Sequence, residues 1–445
     1  MASLIDNLLH LGTHSKKNHS PSKSFEMYSE DDEQVPWTVL LGSGDWEGLT
    51  DPLNLALLKL ILRSGDFCQV TYDTFDNDPN SKYCGSSRFG KDSLFHKVMM
   101  EDASDYEVAC FLYGTAEISH KEALLFHSQS REAWDKESNW IGFVAVTTDE
   151  VSVTRGRREI YVVWRGTTRN YEWIDVMGAK LQSIQPLLDT KDEQYQSEFS
   201  HLDDEEDDED EDEHGGIPKV MRGWVTIYVT TDPRSPFTKL SAREQLSKKI
   251  KELRERYSGE DLSITFCGHS LGASLSVLAA FDLVENGVRD IPVAAFVFGC
   301  PQVGNKAFFE RCDKYPNLKF LHIRNTIDLI PHYPSKLLGY YDIRDELVID
   351  TRKSPYLKDS KNPSDWHNLQ AILHIVAGWN GEKGEFKLRV KRSVALVNKS
   401  CEYLKDECLV PGSWWVEKNK GMVLDENGEW VMALPAEEDK PTPEF

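Results

Sequence analysis

The chain has 445 residues, 40% of them hydrophobic, 28% charged and 11% aromatic, with 28 Gly and 19 Pro. These figures supply a sizeable core and exclude a collagen-like repeat, a disulfide miniprotein and a wholly disordered polymer. The formal charge of −23 argues against nucleic acid as a partner, because phosphate contacts need a surplus of Lys and Arg and no basic stripe is present.

Residues 1–35 are polar and aperiodic and read as a disordered tail. Lys16 and Lys17 follow the short apolar patch instead of preceding it, unlike a secretory signal, and residues 1–24 contain no Arg, unlike an organellar transit peptide. No apolar stretch approaches the length needed to span a bilayer. The eight cysteines are scattered without a C-x-x-C pair, which predicts reduced thiols in a cytoplasmic protein. From Asp51 the string DPLNLALLKLILRSG predicts a helix with Asp51 at the N-cap, Pro52 at the first position and Gly65 past its end. Residues 67–140 mix short patterns whose boundaries are not legible.

The middle of the chain changes character. Runs at 142–147, 160–164, 264–267, 294–298 and 320–323 are short, apolar and rich in β-branched and aromatic residues, as in strands buried on both faces. Between the third and fourth lies 271–284, apolar nearly all round and followed by Asn286-Gly287, which predicts a buried helix. Strand, helix, strand in this order defines a βαβ unit and hence an α/β fold with a mostly parallel sheet. Eleven consecutive carboxylates, Asp203 to Glu213, mark 197–216 as a disordered acidic insertion; the spacing of an EF-hand loop is missing. A last helical stretch is expected over 394–408, and 423–445 reads as a C-terminal tail.

The central chemical signal is Gly268-His269-Ser270-Leu271-Gly272. It matches G-x-S-x-G between a strand and a helix, where a sharp turn holds a serine hydroxyl clear of the sheet and flanking glycines let the backbones pass. The plain alternative is a glycine-flanked N-cap serine. A nucleophilic serine needs a base, and the base an orienting carboxylate, in the chain order Ser, Asp, His for this architecture. Asp328 follows the strand at 320–323 and would lie at the carboxyl edge of the sheet, where sites of open α/β sheets gather. His332, His367 and His374 come after it. His332 is too near the acid, and His374 sits two turns deep in a helical stretch that His367 opens, so His367 is preferred as the base. Oxyanion donors are expected from the Leu271 N–H and from Trp164-Arg165-Gly166-Thr167, through the N–H and hydroxyl of Thr167. The glycine-rich Leu40–Gly48 segment has its third glycine one residue late for a dinucleotide loop.

Together GHSLGASLS at 268–276, RGT at 165–167, FGCPQVGN at 298–305, RNTIDLIP at 324–331 and HNLQAILHIVAGW at 367–379 resemble the plant class 3 lipases, specifically the phospholipase A1-II group. The resemblance runs from about Trp37 to Met422 and includes Trp414-Trp415 and Asn419-Lys420-Gly421. It implies an α/β-hydrolase domain over 36–422, with a cover segment between 176 and 222, that releases the sn-1 fatty acid of phospholipids or galactolipids. It implies no metal or organic cofactor, a glycerolipid substrate and transient contact with a lipid surface. By carry-over, Ser270 is the nucleophile, Asp328 the acid, His367 the base, and Thr167 with Leu271 the oxyanion hole. Eleven carboxylates near the mouth would favour neutral or zwitterionic lipids over anionic bilayers. Alternative readings are a mono- or diacylglycerol lipase and a non-catalytic lipase-like signalling protein.

Overall fold

The computed structural model describes residues 35–116, 125–167, 179–188, 216–415 and 422–445. All but the last residue of the tail expected over residues 1–35, most of the acidic insertion, most of the cover segment and Asn419 to Gly421 lie outside the described residues.

Seven strands form one sheet: β1 (Tyr106–Gly114), β2 (Asn139–Thr147), β3 (Arg158–Trp164), β6 (Leu262–His269), β7 (Val293–Phe298), β8 (Leu318–Asn325) and β9 (Glu346–Ile349), in that spatial order. β1, β2 and β3 pair antiparallel, and every junction from β3 to β9 is parallel. Two small ribbons complete the strands: β4 (Leu181–Ser183) with β5 (Lys219–Met221), and β10 (Met422–Leu424) with β11 (Trp430–Met432).

Side chains alternate between the faces of the sheet, as the two-residue strand period requires. Ile160, Val162 and Trp164 join one buried cluster, whereas Tyr161 and Val163 join the other. The first face is covered by α2 (Arg222–Val229), α3 (Ala242–Arg256) and α4 (Leu271–Glu285). The second is covered by α1 (Leu55–Thr74) and α5 (Leu369–Ala377). With both faces covered, the central strands read as unbroken apolar runs. All the residues of α4 are buried, consistent with its apolar circumference.

This mostly parallel, doubly covered sheet is an α/β-hydrolase fold. Five of the seven strands coincide with the apolar runs of the sequence. β1 and β9 do not: β1 is interrupted by a register shift between Val108 and Cys110, and β9 has four residues.

Two expected helix ends are corrected. The N-cap of α1 is Asn54, whose side chain accepts hydrogen bonds from the N–H groups of Ala56 and Leu57, and not Asp51. Gly65 does not end the helix. It lies inside α1, where a Cβ would sit 2.2 Å from Cδ2 of Leu373 on α5, so this glycine marks a close helix crossing.

The stretch 394–408 is not one helix. It forms two 3-10 segments, Val394–Lys399 and Asp406–Cys408. Buried Asn398 folds the chain between them by accepting from the N–H groups of Tyr403 and Leu404 at 2.8 and 2.9 Å.

The segment expected as a C-terminal tail carries the β10–β11 hairpin, and its end docks on the edge of the sheet. Glu444 accepts from the N–H of Phe111 on β1 at 3.2 Å and pairs with Lys91 at 2.9 Å. Asp439 accepts from the N–H of Gly90 at 2.8 Å. A free N–H on an edge strand invites such a partner.

The helix crossing gives a stability test. Gly65→Val is expected to lower unfolding free energy by about 2 kcal/mol or more through overpacking against Leu373. Gly259→Ala, where a Cβ meets nothing within 4 Å, is expected to stay within about 0.5 kcal/mol. Denaturant unfolding of both variants checks the difference.

Candidate active site

The site is built where four parallel strands end. β6 runs into α4 through Ser270, whose backbone has φ 60° and ψ −128°, a left-handed conformation that costs a non-glycine residue roughly 1–3 kcal/mol. The surrounding backbone explains how it is held. A Cβ on Gly268 would lie 2.0 Å from the carbonyl oxygen of Gly272, and one on Gly272 would lie 2.3 Å from that of Trp164. Strand β6, the first turn of α4 and the end of β3 therefore pass closer than side chains allow. The N–H of Ser270 donates to the carbonyl of Phe298 at the end of β7 (3.0 Å), which fixes the elbow against the next strand.

β8 delivers the acid. Asp328 follows it in a turn and is 1% exposed; its Oδ1 accepts from the N–H of Ile330 at 3.0 Å, and its Oδ2 lies 2.5 Å from Nδ1 of His367. His367 occupies the junction between the short helix Pro363–Trp366 and α5, two residues before the latter begins. Buried Asn325, at the end of β8, anchors this junction by donating to the carbonyl of Trp366 at 2.8 Å.

Gly299, immediately after β7, has φ +53°, and a Cβ there would meet Cε1 and Nδ1 of His367 at 2.7 and 2.9 Å and Oδ2 of Asp328 at 3.2 Å. The imidazole and carboxylate thus lie flat against this glycine, one residue from the Phe298 carbonyl that holds Ser270. Sequence reasoning missed this role; the FG at 298–299 carried the signal.

Of the two expected oxyanion donors, the N–H of Leu271 lies at the elbow itself. Leu271 is the first residue of α4, where backbone N–H groups have no intrahelical acceptor. In the sheet Trp164 pairs with Gly268, so the chain beyond β3 runs alongside the elbow and brings Gly166-Thr167 beside it. Arg165 pins that loop: Nε donates to the carbonyl of Trp140 at 3.1 Å, and the guanidinium stacks 3.7 Å over the ring of Phe75.

His374 is packed elsewhere. Its Nε2 lies 2.8 Å from the hydroxyl of Ser354, its ring abuts Phe386, and burial lowers its pKa to about 4. His332 is exposed at the end of a 3-10 turn whose other two residues, Ile330 and Pro331, are buried. Two residues that sequence reasoning left out stand at the centre: His269, whose Nε2 is 2.8 Å from the carbonyl oxygen of His367, and Tyr72, whose hydroxyl is 2.6 Å from Nδ1 of His269. His269 lies inside the serine motif, but Tyr72, 197 residues away, gave no local signal.

Ser270 is 3% exposed and the side chain of His367 11%, so the elbow lifts the serine out of the sheet but not into open solvent. Neighbouring groups close over it.

The family description "Lipase (class 3)" matches residues 161–338. Phospholipase A1-IIdelta of Arabidopsis thaliana is 61% identical over 92% of this chain and 98% of its own length. Phospholipase A1-II 5 of Oryza sativa subsp. indica is 52% identical over 92% of this chain and 85% of its own. Among solved structures, a Rhizomucor miehei lipase propeptide complex aligns with a TM-score of 0.39 and 15% identity, over 66% of this chain and 67% of that one. The chain belongs to the class 3 lipases, and is an ester hydrolase of the lipase type. Within that class it falls in the phospholipase A1-II group.

The cradle at Gly299 gives a direct test. Gly299→Ala is expected to push His367 off Asp328 and slow hydrolysis of a soluble short-chain ester by about a hundredfold, the scale of an ångström's misplacement. Steady-state kinetics with a circular-dichroism check of folding measures it.

Proposed function

We propose that the protein is an sn-1 acylhydrolase of glycerolipids, acting through Ser270, Asp328 and His367 at a lipid surface. The observation that carries this reading is the 2.5 Å contact between His367 and Asp328, set beside a serine on a strained strand-to-helix elbow.

In this mechanism His367, oriented by Asp328, takes the proton of Ser270 as the hydroxyl oxygen attacks the sn-1 ester carbonyl. The N–H groups of Leu271 and Thr167, with the hydroxyl of Thr167, stabilise the developing oxyanion. As the tetrahedral intermediate collapses, His367 returns the proton to the departing glycerol oxygen and the lyso-lipid leaves. Water, deprotonated by the same imidazole, then attacks the acyl-serine; the fatty acid departs and Ser270 regains its proton. Burial of the three side chains strengthens these interactions by excluding water, and admission of a lipid requires the groups over Ser270 to shift.

A cytoplasmic setting is supported by eight unbridged cysteines, six of them buried. Among the described residues no helix is long and apolar enough to cross a membrane. Contact with a bilayer is therefore assigned to surface side chains. The β8–β9 connection, which carries Asp328, also exposes Leu329 (61%), Leu337 (96%) and Leu338 (53%).

The turn bearing the last two is held rigidly. Gln302 receives the N–H of Ser335 at 2.9 Å and donates to Asp342 at 2.7 Å; the Ser335 hydroxyl accepts from the N–H of Leu337 at 3.1 Å. The Tyr340 hydroxyl donates to the carbonyl of Ala179 at 3.0 Å. Exposed leucines on the connection that carries Asp328, two of them on a fixed turn, suit the acyl boundary of a lipid surface.

Two measurements test these readings. Given phosphatidylcholine or monogalactosyldiacylglycerol with distinguishable acyl chains, the protein is expected to free the sn-1 acid first, and Ser270→Ala to lose at least about a thousandfold in rate. Release of the sn-2 acid first refutes the regiochemistry, and undiminished activity of Ser270→Ala refutes the nucleophile. For the surface contact, the double variant Leu337→Ser/Leu338→Ser is expected to bind phosphatidylcholine vesicles about tenfold more weakly or worse, with soluble-ester hydrolysis unchanged. Equal binding by both proteins removes the leucine turn from the interface.

A further inference from the structure

We propose that His269 and Tyr72 form a tautomer-locked clasp that positions the backbone of His367, so that both are positioning residues for hydrolysis; this rests on the reading of His367 as the base.

The argument begins with what each atom can do. The carbonyl oxygen of His367 can only accept a hydrogen bond, so Nε2 of His269, 2.8 Å away, must carry a hydrogen and donate it. In a neutral imidazole this leaves Nδ1 with a lone pair, and the hydroxyl of Tyr72, 2.6 Å from it, is then the donor. The direction of the whole chain is fixed: Tyr72 O–H to His269 Nδ1, and His269 Nε2–H to His367 C=O.

The neutral form is the one the surroundings favour. Burial holds the pKa of His269 well below the usual imidazole range, and positive charge on His367 would depress it further. Burial likewise raises the Tyr72 phenol, keeping its hydroxyl protonated.

The placement of these groups gives the clasp its reach. The imidazoles of His269 and His367 lie with centroids 4.5 Å apart and planes inclined by 35°, so the first forms a flat wall beside the second. His269 is also the residue next to Ser270, which couples the imidazole and the nucleophile through one side chain. On the other flank, a Cβ on Gly166 would lie 2.0 Å from the Tyr72 hydroxyl and 2.5 Å from the His269 carbonyl oxygen. The loop bearing Thr167 is therefore seated on the same pair.

Tyr72 is near the end of α1, which crosses α5 at Gly65, and α5 begins two residues after His367. The helix pair and the clasp thus locate His367 from both sides. When His367 accepts the serine proton it becomes a cation beside His269. A neutral neighbour whose hydrogen is committed to a carbonyl neither repels that cation nor competes for the proton.

A merely packed histidine would make the same contacts without affecting turnover, and the test separates the two. The full chain is compared with Tyr72→Phe, His269→Gln and His269→Ala on a soluble short-chain ester, alongside thermal unfolding. Tyr72→Phe is expected to lower kcat about tenfold with KM within about twofold, the signature of lost positioning. His269→Ala is expected to lose more, and His269→Gln, which keeps an amide N–H donor for the His367 carbonyl, to recover most of that loss.

In a Ser270→Ala background, the low-field proton resonance of the His367–Asp328 hydrogen bond is expected to shift on Tyr72→Phe. Wild-type kcat in Tyr72→Phe, a glutamine variant no better than alanine, or an unmoved resonance would each overturn the clasp. Full activity in Ser270→Ala alone would instead overturn the nucleophile reading, and the resonance, which needs no turnover, keeps the two failures distinct.

Discussion

The constraint on which the site depends is the passage of β6 into α4 beside the end of β3. There the backbones of Gly268, Gly272 and Trp164 approach within distances that leave no room for a Cβ, and Ser270, midway between the two glycines, is held at positive φ. The strain is sustained because everything around it is fixed by other interactions: β6 is bonded on both sides in the sheet, all of α4 is buried, and the Ser270 N–H has an acceptor on Phe298. A parallel sheet brings the carboxyl ends of successive strands to one edge. Each loop leaving that edge then supplies one part: Gly166-Thr167 after β3, Ser270 after β6, Gly299 after β7 and Asp328 after β8. Only His367 must be brought in from farther along the chain, and it has the most elaborate support.

That support links packing to chemistry. The crossing of α1 and α5 at Gly65 and Leu373, the anchoring of the junction by Asn325, and the contact from His269 act on a stretch of a few residues around His367. In its proposed role as base, His367 needs a fixed origin and limited freedom, because the energetic value of preorganised groups is lost if they reorganise during reaction. Rigidity here comes from the two buried layers and not from the local sequence of the loop. The far edge of the sheet is stabilised separately, where Glu444 and Asp439 close the open side of β1.

The central sheet and the serine elbow were legible in the sequence because they are local. Five strands carry a short apolar run at their centre, and the elbow is five adjacent residues. What was not legible depended on distant partners. The start of β3 reads as charged, Arg158-Glu159, yet both side chains are buried: Arg158 donates to Glu260 and Asp149, and Glu159 receives Arg155 and Arg157. Such ion pairs let polar residues occupy strand positions that a hydrophobic pattern leaves out. Gly65 looked like a stop because nothing local reveals Leu373. Asn398 broke an apparently helical stretch by serving as acceptor for the chain ahead of it. Tyr72 and His269 meet only once the fold exists.

Four histidines, three of them buried and His367 partly so, show how environment, and not residue type, divides the work. His322 has both nitrogens engaged: Glu346 lies 3.1 Å from Nδ1, and the N–H of Cys300 donates to Nε2 at 3.0 Å. It bridges the ends of neighbouring strands and is too committed to exchange a proton with substrate. His374 is tied to Ser354 in apolar surroundings that disfavour its charged form. His269 is fixed as a neutral donor between a phenol and a carbonyl. In His367 a buried carboxylate on Nδ1 coincides with a position beside the elbow, and that combination is what the proposed base requires. The sequence preference for His367 over His374 rested on its place at the mouth of a helix. At a helix mouth the backbone carbonyl is still available to a neighbour, so His367 can be held from behind by His269 while its side chain meets Asp328, whereas in α5 the helix itself dictates where the side chain of His374 points.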